Sequence, residues 1–113
     1  MRAINLTRRA VLMEKGTVAA SAWSRMRGLL GHAPLRAGEG LVLRGEKAIH
    51  TVGMGFPIDI LFLGRDGRVI HLMRSVRPFR FSPMVWAATD VVELPAGTLE
   101  LTSTAVGDQI ELV

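Results

Sequence analysis

The sequence predicts a mainly β fold: a compact antiparallel barrel- or sandwich-like single domain over residues 1–113, with one short helix at about 22–30. Three observations predict it. The 12 Gly and 5 Pro are scattered along 113 residues, which suits many short strands separated by turns. In Pro57–Leu63, Ile58, Ile60 and Phe62 share one face, and Asp59, Leu61 and Leu63 share the other. Both faces are apolar apart from Asp59, the pattern of an interior strand covered on both sides. Gly64-Arg65-Asp66-Gly67 then signals a hairpin into a returning strand.

Taken in order, Ala3–Leu6 and Val11–Met13 are short apolar strands, and Glu14-Lys15-Gly16 makes a turn before Thr17–Ala20. Ser21 as N-cap and Gly31 as C′ residue bracket a helix over Ala22–Leu30. Trp23, Met26 and Leu30 form its apolar stripe, with Arg27 beside it and able to reach a neighbouring cleft. Leu41–Leu43 is a strand, and Gly45-Glu46-Lys47 turns into AIHTVGMGFP, where Gly53 and Gly55 permit a bend and Phe56-Pro57 a cis bond.

Arg68–Met73 returns. With Asp66-Gly67 as a two-residue type I′ loop, Leu63 faces Ile70, Leu61 faces Leu72 and Asp59 faces Arg74; a four-residue loop would set Asp59 against Leu72. Ser75–Thr89 is a long connection with Pro78 and Pro83. Asp90–Leu94 is a strand, Thr98–Thr104 reads equally as strand or helical turn, and Gln109–Val113 is the last strand.

Composition narrows the chemistry. Residues are 49% apolar and 21% charged, as in ordered globular domains. The absence of Cys excludes disulfides, thiolate catalysis and Cys-based zinc. No apolar run spans a membrane, and the first 15 residues lack the apolar stretch of a secretory signal, so a cytoplasmic location is expected. Positive charge is carried by 12 Arg against 2 Lys, with one Asn and one Gln, a thermophile-like composition that GC-rich codons would also produce.

The ordered set Arg27-Gly28-Leu29-Leu30, Gly38-Glu39-Gly40-Leu41, Ile49-His50-Thr51, Met54, Pro57-Ile58-Asp59 and Phe62-Leu63 resembles the DUF192 family, also written UPF0127. The resemblance continues through Asp66-Gly67-Arg68-Val69, Pro78-Phe79-Arg80, Glu93-Leu94-Pro95-Ala96-Gly97-Thr98 and Gly107-Asp108. It is to the Ile-His-Thr subgroup rather than the Phe-Trp-Met one. Gly64 departs from the acidic residue that commonly follows the Phe-Leu pair, which weakens any two-acid scheme. The resemblance implies a compact β-rich fold with a short helix and no established activity, cofactor or catalytic residue.

Asp59 is the sharpest chemical signal. A carboxylate in an interior strand must be hydrogen-bonded, paired or protonated. By default it holds backbone N–H groups or an Arg (Arg27 or Arg74); otherwise it stands at the open end of a cleft as a base or ligand anchor. Arg74 and Glu93 join it as ion-pair candidates. His50 and Thr51 could fold back beside it, but no serine stands in a Gly-x-Ser-x-Gly context, so a hydrolase triad lacks its nucleophile. His32, His50, His71, Asp59 and Glu93 show no metal-ligand spacing, and no metal or cofactor is expected.

The favoured reading is a non-catalytic binding or accessory domain whose polar pocket is lined by Arg27, His50, Thr51, Asp59 and Arg80 and takes a small molecule or a protein. One alternative is a small hydrolase using a His50–Asp59 pair. The other is nucleic-acid binding through the Arg74–Trp86 segment, which mixes Arg74, Arg77 and Arg80 with Phe79, Phe81 and Trp86.

Overall fold

The computed structural model describes residues 1–19 and 35–113, so the helix expected over Ala22–Leu30 lies outside the described residues. In chain order the strands are β1 (Ala3–Asn5), β2 (Ala10–Met13), β3 (Lys15–Ala19), β4 (Glu39–Arg44), β5 (Ile58–Leu63), β6 (Val69–Val76), β7 (Asp90–Pro95) and β8 (Ile110–Leu112). A helical turn, α1 (Thr98–Leu101), follows β7. They form a three-stranded sheet, β2-β1-β8, and a five-stranded sheet, β3-β4-β7-β5-β6. The fold is mainly β and sandwich-like, and neither sheet closes into a barrel among the described residues.

β5 sits inside the larger sheet and all six of its residues are buried. Leu61 and Leu63 pack with Val42, Val92 and Leu94 against Ala3, Leu12, Met13 and Ile110 of the smaller sheet, together with Leu99. Ile58, Ile60 and Phe62 pack on the opposite face with Leu43 and Val91, covered by Ile49, Met54, Phe56 and Ala88 from the connections. The strand is therefore apolar on both sides because a sheet covers one face and a folded connection the other.

β3 is the exception to antiparallel pairing: it runs parallel to β4, Lys15 opposite Glu39 through Ala19 opposite Leu43. Glu14-Lys15-Gly16 is not a reversing turn. Here the chain leaves one sheet for the other, and the N–H groups of Glu14 and Lys15 both donate to the Gly38 carbonyl at 2.8 Å. Close approach explains Gly40 in the Gly-Glu-Gly-Leu stretch. A Cβ there would lie 2.5 Å from Met13 Sδ and 2.8 Å from the Glu93 carbonyl.

The β5–β6 hairpin differs from the expected type I′ loop, which needs two residues at positive φ. Within the turn only Gly67 has one, at 82°. Its N–H donates to the Gly64 carbonyl at 2.9 Å and Gly64 N–H donates to the Arg68 carbonyl at 2.9 Å, a turn closed by a left-handed glycine bulge. Leu61 still faces Leu72. Two irregularities in the ladder place Leu63 opposite Val69 and Ile58 opposite Val76. β6 thus reaches Val76 rather than ending at Met73, with a kink at Ser75 (φ 48°). The stretch left open at Thr98–Thr104 begins with a helical turn at Thr98–Leu101: Leu99 is buried while Leu101 is exposed, so the two do not share a face.

Candidate functional site

Asp59 is fully buried on the face of β5 that meets the smaller sheet. Its carboxylate accepts the Ser75 N–H at 2.8 Å and the Leu99 N–H at 2.9 Å. The first donor is exposed by the kink in β6. The second lies in the first turn of α1, whose N-cap Gly97 offers no side-chain cap. A carboxylate borrowed from a distant strand therefore satisfies a helix-start amide that the local sequence leaves open. Arg74 is not its partner: that guanidinium donates to the Thr104 carbonyl at 3.1 Å. Glu93, also fully buried, lies opposite Leu41 and Ile60 on β7 and belongs to the other face of the sheet.

His50 and Thr51 lie across the sheet from Asp59. Their neighbours Ile49 and Met54 pack on the Ile58–Ile60–Phe62 face, so β5 itself separates the two halves of the expected His50–Asp59 pair. The Phe56-Pro57 bond is trans. His71 also falls on that face, its ring centroid 5.4 Å from Phe62. Among the described residues no three His, Asp or Glu side chains converge as a metal site. Arg27 and His32 lie outside the described residues.

Thr51 is a buried clasp. Its hydroxyl donates to the Arg77 carbonyl at 2.6 Å and accepts the Arg80 N–H at 2.9 Å, while its own N–H donates to the Arg80 carbonyl at 2.9 Å. Further bonds run from Phe79 N–H to the Thr51 carbonyl (3.2 Å), from Ser82 N–H to the Ile49 carbonyl (2.9 Å) and from Val85 N–H to the Lys47 carbonyl (2.8 Å). Lys47 Nζ donates to the Ala88 carbonyl at 2.6 Å. The long connection is thus laid as an irregular antiparallel strip along 47–51, with His50 bridged to Phe81 and their rings 5.9 Å apart.

Fixing the strip leaves its large side chains outside. Phe79 is 65% exposed, Phe81 73%, Met84 50% and Trp86 74%. The rings do not cover a core. Arg77 and Arg80 are exposed beside them, and neither has a carboxylate within ion-pair distance among the described residues. We call this strip the ledge. From the residues expected to line a pocket it gathers His50, Thr51 and Arg80, and it leaves Asp59 in the interior. Arg77, Phe79, Phe81 and Trp86 come from the Arg74–Trp86 segment of the alternative nucleic-acid reading, within a run from Gly67 through Thr89 that contains four Arg, one His and no Asp or Glu.

A second polar cluster was not legible beforehand. Buried Asn5 donates to Thr104 Oγ1 (3.1 Å) and to Asp108 Oδ2 (3.0 Å), and its own amide oxygen accepts the Arg8 N–H (3.0 Å). Asp108 also accepts from Arg8 Nε at 2.9 Å and from Ala105 N–H at 3.0 Å. Burial alone would raise the Asp108 carboxyl, but the bonds from Asn5, Arg8 and Ala105 and the charge of Arg8 outweigh it and hold it below its ordinary value.

No helix among the described residues is long and apolar enough to cross a membrane. In comparisons with known proteins, the chain is similar over 112 residues to a UPF0127 protein of Thermococcus sibiricus, at 29% identity, covering 96% of this chain and 72% of that one. It is 34% identical over 71 residues to a UPF0127 protein of Pyrococcus furiosus, covering 63% of this chain and 60% of the relative. Among solved structures, a protein of unknown function from Novosphingobium aromaticivorans superposes with a TM-score of 0.81 at 20% identity, over 98% of this chain and 82% of that one, a likeness of fold. The model of DUF192, described as "Uncharacterized ACR", matches residues 5–112, and the chain belongs to that family.

Proposed function

We propose that the chain is a non-catalytic binding domain, working in the cytoplasm without a cofactor, and that its docking surface for an anionic partner is the ledge at 77–86. The observation that carries this is the exposure of Phe79, Phe81 and Trp86 on a backbone held by bonds to residues 47–51. Rings kept in water on a fixed backbone lose little conformational freedom when a partner covers them. Aromatic residues, Met and Arg are enriched at the centres of interfaces, and Lys, Asp and Glu are depleted there; residues 77–86 contain none of those three. A hydrolase built on His50 and Asp59 is disfavoured by the sheet that stands between them.

Heparin, a generic polyanion, tests the reading. Titrated into the full chain while backbone amide shifts are followed, it is expected to perturb residues 77–86 and His50 and to leave Ser75 and Leu99, the amides held by Asp59, in place. Perturbation centred on Ser75 and Leu99, or none at low salt, overturns it.

A further inference from the structure

We infer that the partner of the ledge is a single-stranded nucleic acid, an assignment that rests on the ledge being the docking surface. Charge and ring alternate along it: Arg77, Phe79, Arg80 and Phe81 stand within five residues, with Trp86 beyond, and all five side chains are exposed. A single strand offers the matching alternation of phosphates and unstacked bases. Aromatic platforms set among positive charges bind it with little regard to sequence, because every base has a π-face. The charge is of one sign, since no Asp or Glu occurs between Asp66 and Asp90 and neither Arg77 nor Arg80 is neutralised by a carboxylate among the described residues.

Two other occupants fit less well. A second copy would bring Arg77 and Arg80 against their own counterparts, an unfavourable meeting of like charges. An anionic bilayer would receive Phe79 and Phe81 only by drawing Arg80, which lies between them, toward the hydrocarbon. The His50 ring lies 5.9 Å from that of Phe81, tilted by 48°, so the platform has an imidazole beside it.

The test compares a fifteen-residue oligothymidylate with heparin, which carries charge but no bases, and with phosphatidylserine vesicles. The full chain is used beside a variant with Phe79→Leu, Phe81→Leu and Trp86→Leu, which keeps apolar bulk and removes the π-faces. The oligonucleotide is expected to bind the parent and to lose about tenfold or more in affinity with the variant, stacking being worth that much for a single ring, while heparin binding changes little. Arg77→Ala is expected to reduce the slope of log K against log salt by about 0.7 for a lost phosphate contact. Equal losses for both polyanions, or oligonucleotide binding untouched by the variant, overturn the inference. Heparin binding at the ledge with no oligonucleotide binding, or vesicle binding in its place, overturns the nucleic acid and leaves the docking surface standing. Failure of heparin as well removes both.

Discussion

Asp59→Ala is expected to lower the unfolding free energy by about 3–5 kcal/mol, because it strands two amide donors that share one carboxylate, and hydrogen bonds to charged groups contribute roughly 1.5–3 kcal/mol each. The donors are Ser75 N–H at 2.8 Å and Leu99 N–H at 2.9 Å, the second fully buried. Neither has an obvious substitute. Ser75 sits at a kink with φ 48° where the β6 ladder is already irregular, and Gly97 cannot cap the helix start with a side chain. For a domain of this size the loss amounts to about 12–20 °C in Tm. Asp59→Asn keeps the shape and one acceptor oxygen but turns an NH₂ toward the other donor, so about half the loss is expected. Denaturant unfolding of the two variants checks both figures. A loss below about 1 kcal/mol for the alanine would mean the carboxylate is not what holds β6 to α1.

The second large effect concerns Asn5, which ties the first strand to the C-terminal turn. Asn5→Ala removes its bonds to Thr104, Asp108 and Arg8 and is expected to cost about 2–4 kcal/mol near neutral pH. The contribution of Asp108 to the same cluster should depend on pH in a definite direction. The Asp108 carboxyl is lowered in the folded chain from an ordinary value of 3.8. Its contribution is therefore complete above that value, where folded and unfolded chains are both ionised. As pH falls below it the unfolded chain takes up the proton first, and the contribution fades until the folded carboxyl is protonated too. Unfolding measured from pH 7 down through pH 3 should show the gap between the parent and Asp108→Asn narrowing in acid. A gap that stays constant would contradict the assignment of the lowered carboxyl to Asp108.

Much of the fold was legible because side-chain alternation is a local property. The two apolar faces of Ile58–Leu63 could be read from period alone, and the structure covers each with a separate cluster. The placement of Asp59 on the Leu61–Leu63 face followed from the same period. The hairpin type was not legible. Asp-Gly serves both a two-residue loop and a bulged one, and in the fold Gly67 packs against β8, where a Cβ would lie 2.5 Å from the Ile110 carbonyl. The parallel β3–β4 pairing depends on residues 24 positions apart, beyond the reach of any window.

The candidate site shows the same division. His50 and Asp59 are nine residues apart and looked able to meet, yet facing is set by which side of a sheet a connection covers, and that is a tertiary fact. The ledge had the opposite history. Its mixture of Arg and aromatic residues suits an exposed nucleic-acid platform and a core cover alike, and only the bonds from Thr51 to Arg77 and Arg80 reveal that the backbone is fixed and the rings turned out. The run from Gly67 to Thr89 carries four Arg and no Asp or Glu, a bias of charge that the sequence alone displays.

A structural role for Asp59 and a binding role for the ledge are separated directly by one measurement: the heparin affinity of Asp59→Asn, taken at a temperature where the variant is fully folded. The prediction is an affinity within about twofold of the parent, a difference under roughly 0.4 kcal/mol. A tenfold loss in the folded variant would place Asp59 within the binding site and contradict the assignment of binding to the ledge.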